Sequence, residues 1–117
     1  MNLNIPYMET DNKLLNDAYR IAAGDIVGNI VYYQNGLLTE EKPCMIAGLD
    51  YNTPWTRDTA INIWNVLSIL SPEVSKNTLL AVLEEEEGNI YIGGQYWDSI
   101  IWMIGAREYC RFHKDDN

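Results

Sequence analysis

Apolar residues recur along this chain at two densities, and the contrast predicts its architecture. After a start at Thr10 or Asp11, Leu14, Leu15, Ala18, Tyr19, Ala22, Ile26 and Ile30 follow helical spacing. Lys13, Asn16, Asp17, Arg20 and Asp25 fill the other faces, so this first helix has one dry side and one wet side. Gln34-Asn35-Gly36 marks a turn, and a long connection through Pro43 and Gly48 follows. A second helix is predicted over 57–70, capped by Thr56. Ala60, Ile61, Ile63, Trp64, Val66, Leu67, Ile69 and Leu70 surround its axis, interrupted only by the uncharged Asn62, Asn65 and Ser68. Ser71-Pro72-Glu73 is a strong helix start, with an N-cap serine, a proline at the first position and an acid at the positive dipole end. The third helix, over 72–86, is one-sided again: Val74, Leu79, Leu80, Val82 and Leu83 alternate with Glu73, Lys76, Asn77 and Glu84. Gly88-Asn89 breaks it, Ile90-Tyr91-Ile92 reads as a short extended piece, and Gly93-Gly94 as a hinge. A fourth helix begins near Gln95-Tyr96-Trp97-Asp98 and runs through Ile100, Ile101, Trp102, Met103, Ile104 and Ala106 to Tyr109, its first half apolar all round.

The order is one-sided, all-round, one-sided, all-round. A helix apolar on every face has to be covered on every face. Antiparallel helix hairpins of this kind suit two layers, with wet helices outside and dry helices inside. Each outer helix then returns the chain, so the inner helices run parallel and their N-termini gather at one rim. The expected fold is all-α, about four helices in antiparallel hairpins, one partial domain over 1–117. Nothing in these four helices covers Trp64, Ile101 or Trp102, so the pattern predicts either a portion of a longer protein, the favoured reading, or self-association through exposed apolar faces.

Composition narrows the partners. The 117 residues are 47% hydrophobic, enough for a core, and carry a formal charge of −9. An acidic chain with no basic stripe predicts no nucleic-acid binding and no anionic membrane, and no apolar run reaches the length of a membrane span. A neutral, hydroxyl-rich ligand suits the charge better. The first eleven residues have no basic region followed by an apolar block, so no signal peptide is expected, and a chain starting at Met1 is expected in the cytoplasm. Cys44 and Cys110 lack metal-type spacing and read as two unpaired thiols, with a disulfide the alternative. His113 stands alone beside Lys114, Asp115 and Asp116 and reads as a solvated helix-end histidine. No metal and no cofactor are expected. Glu84 to Glu87 could hide a catalytic carboxylate, but a solvated helix end is the expected reading.

The chemistry concentrates at two corners. In Asp50-Tyr51-Asn52-Thr53-Pro54-Trp55-Thr56-Arg57-Asp58 a rigid aromatic, a guanidinium and a carboxylate crowd the start of the second helix. An indole covers the C–H face of a sugar while charged side chains take its hydroxyls, so the cluster could hold a polyhydroxylated ligand. The bland alternative is a capped helix with a local Arg57–Asp58 ion pair. In Gln95-Tyr96-Trp97-Asp98 the same residue types open the fourth helix. There Trp97 and Trp102 are ordinarily core, Gln95 a cap, and Asp98 an acid complementing the dipole. The functional reading rests on two aromatic–acid corners at equivalent helix ends.

Tyr51…Pro54-Trp55-Thr56-Arg57-Asp58 resembles the aromatic-x-Trp-x-Arg-Asp motif that opens an inner helix in glucoamylase-type glycosidases. Gly93-Gly94-Gln95-Tyr96-Trp97-Asp98-Ser99-Ile100-Ile101-Trp102 resembles the Tyr-Trp-Asp-Ser signature of trehalases. Both belong to the six-hairpin glycosidases, whose fold is an (α/α)6 toroid of which this chain would supply about two hairpins. The sharp motifs cover only about twenty residues. By that resemblance Arg57 and Asp58 bind hydroxyls of the sugar at the −1 subsite, Trp97, Asp98 and Gln95 join the same pocket, and Trp55 and Tyr51 line it. The resemblance implies hydrolysis by a carboxylate acid/base pair, with both members carried by later hairpins, so the chain alone is expected to be inactive. Gln95 departs from the arginine-containing stretch of trehalases, and sugar specificity does not carry over. The alternative from a different class is a non-enzymatic helical interaction or oligomerisation module.

Overall fold

The computed structural model describes residues 3–114. Helix α1 spans Lys13–Gly28 and leads into strand β1, Ile30–Tyr33, which pairs antiparallel with β2, Lys42–Met45. A rod over 56–70 follows, made of α2 (Thr56–Asn62), a π-helical segment (Ile63–Leu67) and the short α3 (Ser68–Leu70). Helix α4, Pro72–Ala81, returns the chain to the β3–β4 hairpin, Leu83–Glu86 and Asn89–Ile92. Helix α5, Tyr96–His113, closes the order.

The all-α expectation, and the partial (α/α)6 ring with it, is overturned: the fold mixes four helical rods with two antiparallel two-stranded sheets. Each sheet has a local cause. Ile30-Val31-Tyr32-Tyr33 is β-branched and aromatic, so it leaves the helix where α1 ends at Gly28 and Asn29 caps it. Its partner lies inside the expected long connection. Pro43 is tolerated there because both strands of a two-stranded sheet are edges. The third helix stops at Ala81, five residues short of the expected end, and the four glutamates are no helix terminus. Glu87 and Gly88 both adopt positive φ, 52° and 78°, the pair of angles that a two-residue type I′ hairpin requires. A strand sends alternate side chains to opposite faces, separating charges that a helix end would gather against its dipole.

The rod and α5 run parallel, as the alternation predicts. Their starts meet at Arg57 and Asp98, and their ends meet where the His113 Nε2–H donates to the Ser68 carbonyl. Between these points Gly105 rides on Ala60, where an added Cβ would lie 2.9 Å from the Ala60 Cα. His113 is therefore a half-buried pin between helix ends, its ring tilted 45° to that of Tyr109 with centroids 5.2 Å apart, and the solvated reading fails. Helix α4 opens on the Ser71 N-cap, whose hydroxyl accepts the Val74 N–H. It packs on β2, where Thr78 accepts the Met45 N–H at 3.0 Å, and on α5, where the Trp102 indole donates to the Leu79 carbonyl at 3.2 Å. Met45, Ile63, Leu67, Val74, Leu79 and Tyr109 form the main core.

The coverage expected of all-round apolar helices is incomplete. Ile61, Trp64 and Ile69 stand exposed on the rod, and Ile100 and Met103 on α5. Helix α1 buries no residue at all, despite its amphipathic sequence. No helix among the described residues is long and apolar enough to cross a membrane.

Candidate functional site

Pro54 is buried and biases Thr53 toward extended backbone. Trp55 takes the N-cap position with φ −114° and ψ 135° but has no oxygen with which to cap. Thr56, the expected cap, is the first helical residue instead. Its hydroxyl donates at 2.6 Å to the Gly93 carbonyl, tying the start of the rod to the loop before α5. The Gly93 N–H in turn donates to the Val82 carbonyl at the end of α4. One short loop thereby joins three elements.

Gly94 then turns the chain with φ +112°, and an added Cβ would lie 2.4 Å from Asp98 Oδ2. Only glycine leaves that oxygen room. Asp98, at the third position of α5, uses Oδ2 to accept the Gln95 backbone N–H at 2.7 Å, one half of a capping box. Its Oδ1 accepts both Arg57 Nε at 3.0 Å and Arg57 Nη2 at 2.9 Å, across 41 residues of sequence. The local Arg57–Asp58 pair does not form. The Gln95 N–H, and after it the Arg57 guanidinium, hold the Asp98 carboxyl below its ordinary pKa against the opposing effect of burial. Asp98 is thus ionised at neutral pH, engaged through both oxygens, and unsuited to protonating a leaving group. Its part is to aim the guanidinium.

These contacts form one wall of a cleft of about 630 Å³, within the range of small-molecule sites. Of the seven residues singled out in the sequence, Tyr51, Trp55, Arg57, Asp58, Gln95 and Asp98 line it. Trp97 does not. It is 69% exposed and faces an adjoining depression beside Tyr96 and Ser99. The expectation that Trp97 is core fails too, whereas Trp102 does pack against the core. Tyr51 braces Trp55 edge-on with ring centroids 5.0 Å apart, so the half-exposed indole is held against a second ring where it lines the cleft. Asp58 is half-buried and has no hydrogen bond or ion pair among the described residues.

Thr56, Glu84 and the Gly93-Gly94 pair also belong to the cleft, where the sequence suggested a helix cap, a solvated helix end and a hinge. The available signal for Glu84 was Gly88: it marks a turn that, centred on Glu87-Gly88, fixes the hairpin register and so selects which glutamates share a face. Among the described residues no group of three or more His, Cys, Asp or Glu side chains is arranged to hold a metal ion. The cysteines are free: Cys44 is buried, which pushes its thiol up to about 11, and Cys110 is half-buried. No protein family, curated protein or solved structure matches the chain.

Proposed function

We propose that the cleft between the starts of the 56–70 rod and α5 binds the ring of a carbohydrate, and that the chain contributes these sugar-binding groups to glycosidic-bond hydrolysis of the glucoamylase- and trehalase-like kind. The observation that carries this reading is the Arg57–Asp98 pair beside Trp55. A fork of donors, held by a buried carboxylate, shares one cleft with a braced, half-exposed indole. Arg57 Nη1 keeps donors for ring hydroxyls, Asp58 keeps acceptors, and the indole offers an apolar plane. Pre-aimed groups of this kind lower the ordering cost of binding. The acid/base pair that hydrolysis needs is not assigned to this cleft, since Asp98 is ionised and engaged.

Titration with methyl glycosides and short oligosaccharides, followed by tryptophan fluorescence, tests the proposal. Saturable binding is expected with dissociation constants on the order of millimolar for single rings, lost in both Trp55→Ala and Arg57→Ala, with no turnover of aryl glycosides. Absence of saturation across the panel, or binding indifferent to both substitutions, overturns it. A second reading, an interaction module, is favoured by the exposed Ile61, Trp64, Ile69, Ile100 and Met103. It predicts a discrete oligomer in sedimentation together with no sugar binding.

A further inference from the structure

The charge balance of the cleft goes beyond sugar binding in general. Arg57 is the only basic residue among the described residues that line it, against three carboxylates, Asp58, Glu84 and Asp98. Asp98 neutralises Arg57 at contact distance. That leaves Asp58, on the rod, and Glu84, on β3, uncompensated. Asp58 is half-buried with no partner among the described residues, so its field is screened less than that of a surface acid. Glu84 is more exposed, but its carboxylate lies over the Gly93 backbone, where a Cβ added at Gly93 would be 2.8 Å from Glu84 Oε1. The chain as a whole adds to the same sign, at −9.

Resting on the carbohydrate reading above, we propose that this cleft selects amino sugars, and that Asp58, assisted by Glu84, is the specificity-determining acceptor for the protonated amine. An anionic sugar such as a uronate or a phosphorylated ring brings a third negative charge to a cleft whose guanidinium is already paired, and is rejected. A protonated amine donates to Asp58 and gives the half-buried carboxylate a partner of opposite charge.

The 117-residue chain is titrated at about pH 6, where an amine is charged and a carboxylate ionised. The probes are methyl glucosaminide, methyl glucoside and methyl glucuronide, in low salt and again in high salt. The expected order is amine tightest and uronate weakest, with at least about a tenfold spread in low salt that narrows in high salt. In Asp58→Asn the spread falls to about threefold or less, and Glu84→Gln, at an exposed strand position, narrows it by a smaller factor. Equal affinities for all three rings, or a spread unchanged in both variants, overturn the amine preference while leaving a sugar site standing. No saturable binding by any of the three overturns the carbohydrate reading and this inference with it.

Discussion

Single side chains in this protein act mainly through what they hold in place. Asp98 reads from sequence as a sugar ligand; in the fold it caps α5 and aims Arg57. Its folded pKa is depressed, so its contribution to stability is present above the ordinary value of 3.8 and is lost as pH falls through the lower folded value. Asp98→Asn keeps an acceptor for the Gln95 N–H but loses the charge. It is expected to cost about 1 kcal/mol at neutral pH, with the gap to the native chain shrinking as pH drops below 3.8. Denaturant melts across pH check this, and a gap that persists at low pH contradicts it. Gly94→Ala is expected to cost about 1–3 kcal/mol, because φ +112° and the 2.4 Å approach to Asp98 both oppose a Cβ. The same substitution should weaken sugar binding in parallel. Among the thiols, Cys44 is buried with its pKa pushed up to about 11, so alkylation at neutral pH should modify Cys110 first and reach Cys44 only as the chain unfolds. Peptide mapping by mass spectrometry that finds Cys44 labelled first sinks that ranking.

Elements show where local pattern and tertiary context agree. The rod and α5 were legible because long all-round apolar runs leave few alternatives to a buried helix. The sheets were not. Lys42-Pro43-Cys44-Met45 has no alternation of its own and is a strand only because Ile30-Val31-Tyr32-Tyr33 and α4 lie against it. The β3–β4 hairpin was half legible, through Gly88-Asn89 and Ile90-Tyr91-Ile92; the four glutamates hid its first strand. That hairpin carries a correctable strain, since Glu87 sits at φ 52°. Glu87→Asn should raise stability by about 0.5–1 kcal/mol, because asparagine tolerates the left-handed region and completes the Asn-Gly pair favoured in type I′ turns. A rise in melting temperature checks it; an unchanged or lower one counts against the turn assignment.

At the scale of the molecule, cohesion is uneven. Extents of 57 × 31 × 27 Å describe a long body, and α1 buries none of its sixteen residues. The core lies instead among the rod, α4, β2 and α5. Hydrogen exchange should therefore find α1 amides opening at low free energy, while amides around Ile63, Leu67 and Tyr109 exchange only by global unfolding. Equal protection in the two regions refutes this picture. Exposed Trp64, Ile69, Ile100 and Met103 predict concentration-dependent sedimentation, reduced by Trp64→Lys. Sedimentation unaltered by concentration and by the substitution excludes self-association through that face.

Hydrophobic spacing alone determined the four helical rods, the parallel run of two of them, and the crowding of aromatic and charged residues at their starts. These follow from short-range rules of helix period and chain return, which a single sequence carries. Tertiary structure alone decided that Arg57 pairs with Asp98 instead of its neighbour, that Trp97 lines an adjoining depression instead of the cleft, and that β2 is a strand. Each of those outcomes is a contact between residues distant in sequence, or depends on one. The free energy of such a contact exists only once the other element is in place.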